Sequence, residues 1–180
     1  MNLALAILER YLPAFVKKRM LANLFDLTAQ AFGSDPPRIK NLSYEEALEA
    51  YALFTQKEAE RVLEERRSVE AVGSRLYENA RVLGQKIRGS LRLRRPEDIL
   101  RMSKILYKIL GIAFEGQVDG QVTIAQCYFS HFYTERVCGL VSFLDAGVAA
   151  GLSGGGKLDF YQKITEGRDC CKALLAWKGN

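Results

Sequence analysis

All four cysteines of this 180-residue chain, and its single histidine, fall in the last third, at Cys127, His131, Cys138, Cys170 and Cys171. Thiols are the most versatile side chains in such a set. A thiolate can attack an electrophilic carbon, and three thiols with a carboxylate can hold a soft metal such as zinc. The spacing narrows the choice only partly: neither a paired CxxC nor an HExxH motif is present. The candidate ligands are therefore Cys127, Cys138 and Cys171, brought together by the fold. His131, four residues after Cys127, is the candidate base or binding group.

The geometry of the elements carrying these residues can be read from periodicity. Thr134 is placed to cap a helix rich in small residues, running from Glu135 to about Leu152. On that helix Cys138, Ser142, Asp145 and Ala149 lie within about 40° of one line at 100° per residue. Val137, Leu140, Val141, Leu144 and Val148 form an adjoining apolar stripe. Cys138 and Asp145 thus sit two turns apart at the edge of the buried face, where a pocket wall would be. In the final strand Cys171, Ala173, Leu175 and Trp177 share one face, and Cys170 points away. If the strands pair in one sheet beneath the helix, Cys127, Cys138 and Cys171 converge near Asp145.

The flanking elements follow the same logic. The period changes from helix to strand after Gly111. IAFEGQ, the turn Asp119-Gly120 and QVTIAQC read as a β-hairpin, and a second hairpin is formed by 158–164 and 170–177. The C-terminal part is ββαββ. Gly154, Gly155 and Gly156 follow a helix instead of preceding one, so they are a helix exit and not a phosphate cradle.

Upstream, the spacing predicts helices over 3–12, from Pro13 to about Phe32, from about Tyr44 to Val72, over about 75–87, and from Pro96 onward. Ser43 with Glu46 forms a capping-box signature, and Gly73 or Ser74 is the expected break after the third helix. Pro96, Glu97 and Asp98 open the fifth helix. The fold class is α+β, with a helical region over 1–110 packed with an antiparallel ββαββ region over 111–180 as one compact unit. No stretch reads as long and apolar enough to cross a membrane. The opening MNLALAILERY lacks a basic leader, which points to the cytoplasm.

The net charge of +5 is concentrated: 75–104 carries nine basic and three acidic residues. Aromatics do not interleave with these arginines in the way a single-strand binder needs, which argues against a nucleic-acid surface. Lys17, Lys18 and Arg19 could make the opening helices a peripheral membrane anchor, but packing on the domain itself, or on a second copy in a homo-oligomer, is the preferred expectation.

The segments TERVCGL, LDAG and KLDFYQKITEGRDCC resemble the L-2-amino-thiazoline-4-carboxylic acid hydrolase family, including its closing ITEGRDCC-like motif at Ile164–Cys171. The layout is also similar to the 4-vinyl reductase small-molecule-binding domain, with a cysteine in the equivalent helix and Gly-x-x-x-Cys at Gly167–Cys171. The resemblance implies hydrolytic opening of a cyclic thiazoline or amidine ring. Cys127 or Cys171 would be nucleophile or metal ligand, Cys138 a third thiol, Asp145 or Glu166 the proton-transfer group, and Lys163 or Arg168 the partner of a substrate carboxylate. It also implies zinc held by cysteines, although the positions near Phe160 and Lys163 where further ligands would fall hold none. The alternative is a non-catalytic small-molecule-binding or sensor domain with a pocket lined by Phe129, Phe132, Tyr133, Phe143 and Phe160.

Overall fold

The computed structural model of the chain describes residues 3–65 and 69–178. Helices α1 (Leu3–Arg10), α2 (Ala14–Phe32), α3 (Tyr44–Glu64), α4 (Val69–Leu91) and α5 (Pro96–Ile109) precede strands β1 (Ile112–Gly116) and β2 (Gln121–Cys127). A short 3₁₀ turn over Tyr128–His131 leads into α6 (Glu135–Ser153), and β3 (Lys157–Gln162) and β4 (Cys171–Ala176) complete the chain. The strands form one antiparallel sheet in the order β1-β2-β4-β3. The α+β class and the ββαββ order are as expected.

Local chemistry explains most of the boundaries. Thr134 Oγ1 accepts from the Val137 N–H at 3.3 Å and caps α6. The Ser43–Glu46 box closes in both directions at the start of α3. Gly33 and Gly154, both in the left-handed region, end α2 and α6. Gly120 carries φ +95 in the tip of the first hairpin, a conformation glycine adopts without a side-chain clash.

The expected break at Gly73 does not occur. Gly73 lies inside α4, buried where a Cβ would come within 2.9 Å of the Phe143 ring. Its lack of a side chain serves packing between helices, not a bend. The helices expected on either side of that break are joined, and α3 instead ends at Glu64. The helix expected from Tyr44 to Val72 runs across residues 66–68, among them Arg66 and Arg67, which lie outside the described residues, as do the side chains of Leu3 and Ile7 in α1. The helix expected over about 75–87 also runs further, because Ser90 and Leu91 still belong to α4.

Helix α6 is the centre of the molecule. It packs along α4 on one side and meets α3, α5 and β3 on others. Three buried clusters surround it: one among α2, α3, α4 and α6, one between α5 and the inner sheet face, and one at α1, Leu93 and Leu152. Its composition follows from that position. Contrary to the expectation from sequence, α6 is long and apolar enough to cross a membrane by length and composition; it is a core helix with apolar neighbours on several sides.

The α4–α6 contact is made by backbone. A Cβ on Gly147 would lie 2.2 Å from the Tyr77 carbonyl oxygen, and one on Gly151 would lie 2.3 Å from that of Arg81. Gly84 meets the Val148 carbonyl oxygen in the same way, at 2.6 Å. The pairs Gly73–Phe143, Tyr77–Gly147 and Arg81–Gly151 keep one constant offset, so the two helices run in the same direction in register. Gly139, on the same helix, has no atom within 4 Å of its would-be Cβ. Gly151→Ala should therefore destabilise the fold by about 1–3 kcal/mol through overpacking. Gly139→Ala should stabilise it by roughly 0.5–1 kcal/mol through helix propensity. Urea denaturation of the two variants checks both signs.

Candidate functional site

The side of α6 turned away from α4 faces a cavity of about 120 Å³. Its walls come from Met20 and Leu24 of α2, Tyr51 of α3, Leu83 of α4, the Leu106–Leu110 turn of α5, and Val141, Leu144 and Val148 of α6. Polar atoms are few: the Asp145 carboxylate, the Tyr107, Tyr51 and Tyr133 hydroxyls, the Ser142 hydroxyl, and the Cys127 and Cys138 thiols. Most are already committed. Tyr51 pairs with Thr28 Oγ1 at 3.0 Å, Tyr133 bonds Thr55, and Ser142 Oγ donates to the Cys138 carbonyl at 2.7 Å.

Asp145 is the exception in character. It is partly buried and lines the cavity. Burial pushes its pKa up to about 6, opposed by the hydrogen bond from Tyr107 and the charge of Lys163. The Tyr107 hydroxyl donates to Oδ1 at 2.9 Å. Tyr107 is itself buried, stacked on Phe114 at 4.7 Å, and its own pKa is raised by burial and by the adjacent carboxylate. Phe114, on the first turn-side strand, thus fixes the ring that fixes the acid.

The thiols are neutral in this setting. Burial raises Cys127 to about 12, against the backbone N–H groups of Phe129 and Ser130. Burial likewise raises Cys138 and Cys171. For Cys138 the Thr165 hydroxyl and Lys163 act in the opposite direction, and for Cys171 the Ile164 N–H, which donates to Sγ at 3.3 Å, does so. Each of the three thiols feels Asp145 as a like charge, which places all three in its neighbourhood. They are not a ligand set. Among the described residues no three His, Cys, Asp or Glu side chains come close enough to share a metal ion, so Cys127, Cys138 and Cys171 do not fit the expected zinc.

The remaining expected site residues divide. Lys163 reaches toward α6, its Nζ donating to Ser142 Oγ at 3.3 Å. Glu166 is spent on local structure, its Oε2 accepting from the Lys163 N–H at 3.0 Å. Arg168 is exposed in the following turn, and His131 is exposed at the end of the 3₁₀ turn, outside the cavity lining. Of the aromatics expected to line a pocket, Phe129 and Tyr133 do; Phe132, Phe143 and Phe160 do not. The residue missed by sequence reasoning is Tyr107. Its spacing from Ile99 and Ser103 on α5, at i+8 and i+4, puts it on the buried face, and a tyrosine there needs a hydrogen-bond partner.

The raised carboxyl has a measurable signature. Folded Asp145 holds its proton to about 6, against an ordinary value near 3.8, so the folded state binds more protons between those values. Stability should therefore fall as pH rises from about 4 to about 6, by on the order of 3 kcal/mol from this group. Asp145→Asn should flatten that part of the curve, as measured by denaturant midpoints across pH. A wild-type curve no steeper than that of the variant would mean the carboxyl is better solvated than its surroundings indicate.

Compared with known proteins, the chain matches no family model and no curated sequence.

Proposed function

We propose that the protein binds a small, largely apolar molecule in the cavity beneath α6, and that the Asp145–Tyr107 pair holds a hydrogen-bond donor of that molecule. The observation that supports this reading is the contrast inside the cavity: an apolar wall with one carboxylate whose Oδ1 is engaged by Tyr107. The other oxygen is left for a ligand O–H or N–H. At about 120 Å³ the space suits a single ring or a short chain, since engineered cavities of roughly 150 Å³ take up benzene. The reading corresponds to the small-molecule-binding alternative, of the kind found in 4-vinyl reductase domains.

A second reading, hydrolytic opening of a thiazoline-type ring, is favoured by one observation. A carboxyl with a pKa of about 6 in a water-poor pocket can both take and return a proton near neutrality. In that case Asp145 is the proton-transfer group and water the nucleophile, because the surrounding thiols are held neutral. Lys163, beside Ser142, is the group placed to meet a substrate carboxylate.

Titration calorimetry with phenol and with benzene tests the binding reading. Phenol should bind at least about tenfold more tightly than benzene, as expected for one charge-assisted hydrogen bond. Asp145→Asn should remove most of that preference, and the preference should shrink as pH falls through 6, where the carboxylate takes up its proton. Absence of heat with either probe would refute the binding reading. For the hydrolytic reading, turnover of 2-amino-thiazoline-4-carboxylate should survive Cys127→Ser and be lost in Asp145→Asn.

A further inference from the structure

The two most exposed large hydrophobic side chains among the described residues are Phe15, at 72%, and Tyr11, at 70%. They flank Pro13, at the corner where α1 ends and α2 begins. Pro13 has an extended backbone, φ −58 and ψ 144, so the two helices cannot continue into one another and the corner projects. Beyond the corner α2 turns inward: Leu21, Phe25, Thr28 and Ala29 are buried. Phe15 heads the exposed side of α2, on which Arg19, Asn23, Asp26 and Gln30 follow at helical spacing, so it is an aromatic on an otherwise polar face.

The surroundings of this aromatic tip are basic. Residues 10–25 hold Arg10, Lys17, Lys18 and Arg19 and no acidic residue. Arg10 and Arg19 are exposed, and Arg19 stands one turn above Phe15 on the same side of α2. Lys17 lies over the Tyr44 ring at 4.7 Å from its centroid. Lys18 donates to the Leu42 carbonyl at 2.6 Å and reaches the Lys40 carbonyl at 3.4 Å. These contacts keep both ammonium groups beside the corner and bring the exposed Lys40 to it. Of the acids near the corner, Glu9 faces a groove that it shares with Arg101 and Lys104, and Glu46, which feels the charge of Lys18, is engaged by the Ser43 N–H.

We infer that this corner is a docking surface for an anionic lipid bilayer. Aromatic side chains prefer the headgroup level of a membrane, and a collar of Lys and Arg adds attraction to anionic lipids that falls off with salt. A second protein copy could bury the aromatics, but it would bring the exposed Arg10 and Arg19 against the same arginines of the other copy. The charge of the corner thus selects an anionic partner, and two protruding aromatics suit a soft interface. The inference is independent of what the cavity binds.

The test is co-sedimentation of the full chain with phosphatidylcholine vesicles, with and without 30% phosphatidylglycerol (a composition of about one anionic lipid in three). Wild type should sediment with the anionic vesicles and not with the neutral ones, and binding should weaken at high salt. The double variant Tyr11→Ser/Phe15→Ser should lose about tenfold or more in partitioning. Tyr161→Ser, which removes an aromatic 68% exposed on β3, should bind as wild type does. Both variants alter exposed side chains, and unchanged thermal melts establish that the fold is kept. Three results would overturn the inference: no binding to anionic vesicles, equal binding by the corner variant, or light scattering showing a wild-type dimer that the corner variant dissolves. The last would assign the corner to self-association.

Discussion

The contact between α4 and α6 is the constraint on which the rest of the structure depends. Two helices can bring backbone against backbone only where side chains are absent, and here Gly84, Gly147 and Gly151 supply that absence, while Gly73 makes room for the Phe143 ring. The result is a pair of helices locked both in separation and in rotation. Shifting the register by one residue would put Ala146 or Val148 against the Tyr77 carbonyl and Ala150 or Leu152 against that of Arg81. Once rotation is fixed, the opposite side of α6 is fixed too, and Cys138, Ser142 and Asp145 must face α5 and the sheet. The far end of the pair is secured electrostatically, because the Arg88 guanidinium lies against Gly154 at the negative end of α6.

That rigidity bears on how a carboxylate can stay in an apolar cavity. An unpaired buried charge is costly, and proteins relieve the cost by hydrogen bonding, by a counter-charge, or by taking up a proton. Asp145 uses some of each: Tyr107 donates to it, Lys163 lies close enough to lower its pKa, and the residual penalty appears as a proton retained up to about 6. The same surroundings deny the thiols any comparable relief. Cys127 and Cys138 sit beside a carboxylate and in apolar contact, both of which oppose a thiolate. Acid–base capacity in this site thus belongs to oxygen, although the sequence draws attention to sulfur.

Features set by local chemistry were legible in the sequence. Thr134, Ser43 with Glu46, Pro96, and Gly120 in its hairpin each act through backbone groups a few residues away, so a short window contains both partners. The face assignments of α6 and β4 were legible for the same reason, since period alone places Asp145 with Cys138 and Cys171 with Ala173. What could not be read depends on contacts between distant segments. Gly73 looks like a helix break until Phe143 is known to cover it. Tyr107 looks like one more core aromatic until Asp145 is across from it. The cysteines look like a metal set because residue type is visible in a sequence and the interatomic distances are not. The helix α6 passes unnoticed as a span-length apolar segment because its glycines and alanines lower its apparent bulk, while their packing role raises its burial.

Helix α2 connects the two surfaces argued for above. Around its circumference the environment changes from solvent at Phe15 and Arg19, to cavity wall at Met20 and Leu24, to core at Leu21, Phe25 and Ala29. That arrangement is a consequence of amphipathic periodicity: one face of the helix is polar and exposed, the other apolar and turned inward. On the proposed readings, the element that would touch a bilayer also walls the cavity, separated from it by little more than one helical turn. An apolar ligand of ring size partitions into a bilayer well before it reaches appreciable concentration in water. A protein that samples such a ligand gains more from proximity to the membrane than from a wider mouth, which would admit water to Asp145 and lower the very pKa that distinguishes the site. The small cavity and the exposed corner are therefore compatible answers to one physical problem, namely reaching an apolar solute without hydrating the acid that recognises it.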